Sequence, residues 1–174
     1  MSDPRNQTKY QVRFDWGLAG AAAIAPGSHI VVWADALPEP VADPLALRHD
    51  GALITGSVGS RTAVAQWILA KQVELGGRAV VAVVAAGGPD GRFAVEDLLA
   101  AGAVIDALAE VGIDFTSPEA AAAAGAFAGL RNATAHVLSA CVSGQEAGAG
   151  AVAAAREANA RAEFGILREF GPSA

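Results

Sequence analysis

The chain has 174 residues, of which 53% are hydrophobic, 43 are alanine and 20 are glycine, and its formal net charge is -6. The hydrophobic content excludes intrinsic disorder, the single cysteine excludes a disulfide framework, and the acidic charge with scattered arginines excludes a nucleic-acid partner. The polar N-terminus lacks a secretory signal, and no segment holds the ~20 strongly apolar residues of a membrane span. We therefore expect a cytoplasmic protein without a membrane partner.

The first half of the chain alternates between predicted strands and helices. Apolar and polar residues alternate at 10–15, as in a half-buried strand, and the apolar run at 29–34 is typical of a strand covered on both faces. A short helix is predicted between them at 17–25. Three prolines within 36–50 predict an irregular loop.

The second half continues this alternation, with glycine-rich turns between the elements. In order, the predicted elements are a strand at 51–55, a helix at 61–75, a strand at 78–85, a helix at 93–111, an alanine-rich helix started by a capping box at Thr116 and Glu119, helices at 132–140 and 145–162, and a strand at 163–168.

Strands that alternate with helices and lack polar alternation predict an α/β fold. We expect a layered α/β/α sandwich around a mostly parallel or mixed central sheet. The polar residues 1–9 predict an N-terminal tail, and 10–174 predict a single domain because no linker or repeat divides them. The alanine-rich helices between 120 and 162 predict a homo-oligomer, with their small side chains packed against a second copy.

Ligands of open α/β sheets bind where strands end at their carboxyl edge, and Asp35 directly follows the apolar run at 29–34. A carboxylate at that point can bind a divalent cation or act as a nucleophile. The alternative is a turn-starting aspartate that accepts a hydrogen bond from its own backbone.

A second candidate is the glycine- and serine-rich turn that follows the strand at 51–55. Glycines let backbone N–H groups approach an anion at a helix N-terminus, and an arginine adds a bidentate contact. The alternative is an ordinary helix cap by one of the two serines. The predicted contacts to substrate are Ser57, Gly59, Ser60 and Arg61.

The third candidate is the adjacent carboxylates Glu96 and Asp97, which begin the helix at 93–111. Stabilisation by the helix dipole explains them in structural terms. In the functional interpretation both carboxylates are catalytic, and Asp97 shares a cation with Asp35. Mg²⁺ suits such a site, because it is often held by one or two carboxylates together with water and phosphate oxygens.

Several stretches together resemble the 2-phosphosulfolactate phosphatase family. They are Val12 to Gly17, Ile30 to Leu37, Ser57 to Ala65, Phe93 to Ala103 and Ser139 to Glu146, and the Glu-Asp-Leu-Leu-x-Ala-Gly-Ala motif from Glu96 is the most specific. The chain resembles a shortened, divergent member, because only about twenty residues separate Asp35 from Ser57.

The resemblance implies an α/β phosphoric monoester hydrolase that uses Mg²⁺ to remove phosphate from a small anionic ester of the 2-phosphosulfolactate type. It implies that Asp35 is the family's strand-end aspartate. The alternative is a non-catalytic homologue that binds a small anion or a partner subunit.

Overall fold

The computed structural model describes residues 3–37 and 42–170. Its strands are β1 (Val12–Trp16), β2 (Ile30–Ala34), β3 (Ala52–Gly56), β4 (Val81–Ala85) and β5 (Ile166–Arg168). Its α-helices are α1 (Gly17–Ile24), α2 (Arg61–Leu75), α3 (Val95–Glu110), α4 (Pro118–Leu130), α5 (Thr134–Ala140) and α6 (Val142–Ala160). No helix in these ranges is both long and apolar enough to cross a membrane.

The five strands form one sheet in the order β1-β4-β2-β3-β5. The first four are mutually parallel, whereas β5 pairs antiparallel with β3 at the edge. The prediction of an α/β fold with a mixed sheet is confirmed. The last strand is shorter than predicted, three residues within 163–168, and it is half exposed because it lies at an edge.

Both faces of the sheet are covered, which explains why the strands are almost continuously apolar. One set of alternating side chains, including Val32 and Val83, packs against α2 and α3. The opposite set, including Trp33 and Val84, packs against α1. These layers leave the carboxyl ends of the parallel strands and their loops as the place where a site can form.

Residues 3–9, predicted as a polar tail, include a short turn and a side chain that contacts β1. Pro4–Asn6 form a 3-10 turn, and the Gln7 side chain donates to the Phe14 carbonyl at 2.8 Å and accepts from its N–H at 3.0 Å. Because β1 is an edge strand, the Gln7 amide satisfies backbone groups that a neighbouring strand would otherwise pair.

Two helix boundaries also differ from the sequence prediction. The cap of α4 is Ser117, one residue after the predicted Thr116, and its hydroxyl accepts from the Ala120 N–H at 3.1 Å. The last long helix begins at Val142 and is interrupted at Gly148, whose φ of 83° is non-helical. Both differences move ends of elements without changing their order.

Candidate active site

Asp97, in the first turn of α3, links two loops at the carboxyl edge of the sheet. One carboxylate oxygen accepts from the Ala36 N–H at 2.8 Å, just after β2, and the other accepts from the Gly87 N–H at 2.9 Å, just after β4. Gly87 has a φ of 77°, a left-handed conformation that favours glycine. The glycine turn after β4 and the first turn of α3 therefore fix this carboxylate at the carboxyl edge of the sheet.

Asp97 is only 3% exposed, and its carboxyl group lies near the charge of Asp35. Burial, and then the charges of Asp35 and Glu96, raise the pKa of Asp97 to about 8, although the hydrogen bonds from Ala36 and Gly87 act in the opposite direction. A divalent cation between the two aspartates would relieve this repulsion.

Glu96 is also buried, at 5% exposure. Its carboxylate lies beside the Cys141 thiol, which accepts from the Gly144 N–H at 3.3 Å at the start of α6. Burial raises the pKa of Cys141, and the Glu96 carboxylate raises it further. The thiol is therefore in a neutral, capping role in this structure.

The carboxylates of Asp35, Glu96 and Asp97 line one small cleft, together with Gly87, Gly88 and Ser143. Its volume of about 10 Å³ is close to that of a single bound water or cation. Within the described ranges, no group of three or more His, Cys, Asp or Glu side chains is arranged as a metal site. Any cation here would rely on two carboxylates and on oxygens from water and substrate.

Ser57 and Ser60 lie on the other side of Asp35, in an outer pocket that these three residues line with Asn159 and Glu163. The Ser57 N–H donates to the Ser60 hydroxyl at 3.0 Å, and the Ser60 N–H donates to the Ser57 hydroxyl at 3.1 Å. This reciprocal pair closes the turn before α2, whose N-cap residue Ser60 makes no side-chain capping hydrogen bond to the helix. Contact between these serines and substrate stays a prediction.

Gly59 and Arg61 already have partners within the chain. The Gly59 N–H donates to the Asn159 carbonyl at 2.8 Å. Arg61 donates to the Val58 carbonyl and lies over the Phe127 ring, 5.8 Å from its centroid. Arg61 lines neither the cleft nor the outer pocket, so an anion contact by this side chain also stays a prediction.

Arg92 packs on Gly88, one of the residues that line the cleft, and the sequence reasoning gave it no role. Its guanidinium packs so closely on Gly88 that a Cβ there would lie 3.2 Å from the Arg92 Nε. Glu146 of α6 holds the guanidinium through a 2.9 Å ion pair. The signal in the sequence is the glycine pair after β4 followed at once by a short turn and an arginine.

Asn159 is a second residue that the sequence reasoning missed. Its amide donates to the Ala36 carbonyl at 2.6 Å and thereby ties the end of α6 to the loop that carries Asp35. Its Oδ1 atom is buried and accepts no hydrogen bond from the described part of the chain. The two bonded residues are 123 positions apart, so no local pattern reveals them.

The fold and the clustered carboxylates define an α/β protein with an acidic site at the carboxyl edge of its sheet. The family model for 2-phosphosulpholactate phosphatase matches residues 45–149, which is more than half of the chain. The chain therefore belongs to the 2-phosphosulpholactate phosphatase family, a family of phosphoric monoester hydrolases. This confirms the resemblance seen in the sequence.

The matched range includes Arg92, Glu96, Asp97 and Glu146, whereas Asp35 and Asn159 lie outside it. A search of curated proteins finds no match to the chain.

Proposed function

We propose that this chain hydrolyses a small phosphate monoester with a divalent cation, expected to be Mg²⁺, held by Asp35 and Asp97. The observation that carries the proposal is the pair of carboxylates at the carboxyl edge, one of which has its pKa raised to about 8 beside the other. Burial and the neighbouring charge disfavour the ionised form of Asp97, and carboxyl groups whose pKa is perturbed in this way cluster at functional sites.

The donor set fits Mg²⁺. Carboxylate oxygens are the ligands this ion prefers, and it usually keeps several waters and substrate oxygens around one or two protein carboxylates. When bound, the ion would supply neutralisation of the charge on the phosphoryl oxygens. Asp35 would serve as its ligand or, alternatively, as the nucleophile toward phosphorus.

The chain's own residues would then position the ester. The Arg92 guanidinium, which packs on Gly88 of the cleft wall, would donate to phosphoryl oxygens, because planar guanidinium groups match phosphate geometry. Glu146 would hold that guanidinium in place through their 2.9 Å contact. Glu96 would repel further anions from the cleft that it lines. Its carboxylate would also be a candidate for proton transfer to or from the ester.

The test is phosphate release from phosphosulfolactate and from simple phosphate monoesters, with and without Mg²⁺. Asp35→Asn removes one carboxylate while keeping its size, and we expect kcat/KM to fall by roughly a hundredfold or more. Asp114→Asn is the matched control, since Asp114 is exposed and follows the far end of α3.

Equal activity in the wild-type protein and Asp35→Asn would contradict the proposed role of Asp35. If the wild-type protein releases no phosphate from any ester but still binds inorganic phosphate, the alternative holds, namely a non-catalytic homologue that binds a small anion. Loss of activity in Asp114→Asn would mean that the assay reports general damage to the fold.

A further inference from the structure

Ala36, the residue after Asp35, is held at both of its backbone polar groups. Its N–H donates to an Asp97 carboxylate oxygen at 2.8 Å, and its carbonyl accepts from the Asn159 side-chain amide at 2.6 Å. Ala36 is itself buried, at 4% exposure. The backbone next to the Asp35 side chain is therefore fixed from α3 through one of these bonds and from α6 through the other.

Asn159 is in turn held in place near the end of α6. Its side-chain amide also donates to the Ala155 carbonyl at 2.9 Å, one helical turn earlier. Its backbone carbonyl accepts from the Gly59 N–H at 2.8 Å, and a Cβ at Gly59 would overlap that carbonyl oxygen. Gly59 lies in the turn after β3, the parallel neighbour of β2. One residue of α6 therefore joins the loops that follow two adjacent strands.

The alanine-rich helix α6 does not itself need an asparagine near its end. Its cap residue is Arg161, whose backbone N–H donates to the Ala158 carbonyl, and asparagine is a weaker helix former than alanine. The Asn159 Oδ1 atom is also buried and has no donor among the described residues, which costs stability. The contact that sets Asn159 apart from the alanines around it is its bond to the Ala36 carbonyl.

We propose that Asn159 is a positioning residue, which keeps the Asp35 carboxylate beside Asp97 by holding the Ala36 carbonyl. This inference rests on the proposed function, because it assigns Asn159 to the cation site of the phosphatase. Residues that orient the ligands of a metal ion typically contribute roughly 10- to 100-fold to metal affinity or activity. Asn159 would act through the backbone and would touch neither the ion nor the ester.

Asn159→Ala removes the donor to the Ala36 carbonyl, and Asn159→Leu removes it while nearly keeping the size of the side chain. In both variants we expect the affinity for Mg²⁺, measured by calorimetry, to fall by roughly tenfold or more. At saturating Mg²⁺, kcat for a phosphate monoester should fall by roughly tenfold while KM changes by less than about twofold, because the groups that bind the ester stay in place.

Amide hydrogen exchange in the metal-free protein provides a readout that does not depend on activity. The Ala36 N–H should exchange at least about tenfold faster in both variants, whereas the Gly87 N–H, which donates to the other oxygen of Asp97, should keep its wild-type rate. Asn132→Ala is the matched control, since Asn132 is exposed in the turn between α4 and α5. It should leave the Mg²⁺ affinity, kcat and both exchange rates unchanged.

Equal Mg²⁺ affinity and equal kcat in the wild-type protein and both Asn159 variants would overturn the inference while leaving the proposed function intact. A rise in KM with unchanged kcat would also overturn it, since that pattern marks a loss of ester binding. Unfolding of both variants would overturn it too, because Asn159 would then be a requirement of the fold. If the wild-type protein neither binds Mg²⁺ nor releases phosphate, the proposed function fails, and the inference with it.

Discussion

At the scale of single residues, the carboxyl group of Asp97 carries the most information. It is buried, it bridges the backbone after β2 and the backbone after β4, and its pKa is raised to about 8 by burial and by Asp35. A residue that only capped α3 would be expected to accept N–H groups of that helix, whereas Asp97 accepts N–H groups from two other loops. This geometry favours a role at the strand ends over the helix-dipole explanation.

The raised pKa of Asp97 predicts how stability depends on pH. The folded chain keeps a proton that the unfolded chain releases near the ordinary pKa of 3.8. Stability from this group is therefore complete below about pH 4, falls as the pH rises, and levels off above about pH 8. In metal-free buffer, we expect the free energy of unfolding to fall by about 1 kcal/mol or more between about pH 5 and about pH 8.

Urea denaturation at the two pH values measures this loss. Asp97→Asn removes the titrating group, so the free energy of unfolding of this variant should be nearly independent of pH over the same interval. At acidic pH it should be lower than that of the wild-type protein, because one hydrogen-bond acceptor is lost. Asp114→Asn should keep the wild-type dependence. If the free energy of unfolding of Asp97→Asn falls with pH as steeply as that of the wild-type protein, the assignment of a raised pKa to Asp97 is wrong.

At the scale of elements, the contact between α3 and α4 depends on one glycine. A Cβ at Gly102 would overlap the carbonyl oxygen of Ala123 and would approach Phe127 to 3.0 Å. The two helix backbones are therefore in direct contact at Gly102, and α3 carries Glu96 and Asp97 in its first turn. Close packing of these helices helps to fix the acidic end of α3 over the sheet.

Gly102→Ala should consequently lower the free energy of unfolding by several kcal/mol, on the order of 2–4, because backbone must move to admit the methyl group. Gly125→Ala is the matched control, since no atom lies within 4 Å of its added Cβ. Its higher helix propensity should raise stability by up to about 1 kcal/mol. Equal effects in the two variants, measured by thermal or urea unfolding, would contradict the close contact.

At the scale of the whole molecule, the sequence was sufficient for the order and type of the main elements. The buried strands β2 and β4 were predictable because helices cover both faces of the sheet, which makes their runs continuously apolar. The antiparallel direction of β5 was not predictable, since a three-residue edge strand has no pattern that records its partner. The predicted homo-oligomer and cytoplasmic location stay predictions.

The candidate site was predictable only where its residues follow strand ends or begin a helix. Asp35 and Asp97 both do so, and the parallel sheet brings them to one edge. Arg92 and Asn159 were missed because their roles depend on contacts with Gly88 and Ala36 that no local spacing records. Conversely, Arg61 has the expected place in the sequence, but in the structure its guanidinium is bound to the Val58 carbonyl.

The most direct test of the central claim is calorimetric titration of the protein with Mg²⁺ near neutral pH. We predict one bound ion per chain in the wild-type protein and in Asp114→Asn, with release of a proton from Asp97, and loss of that binding in Asp35→Asn. Proton release is measured by repeating the titration in buffers of different ionisation enthalpy. Binding that persists unchanged in Asp35→Asn, or its absence from the wild-type protein, would contradict a metal-dependent site at this pair of carboxylates.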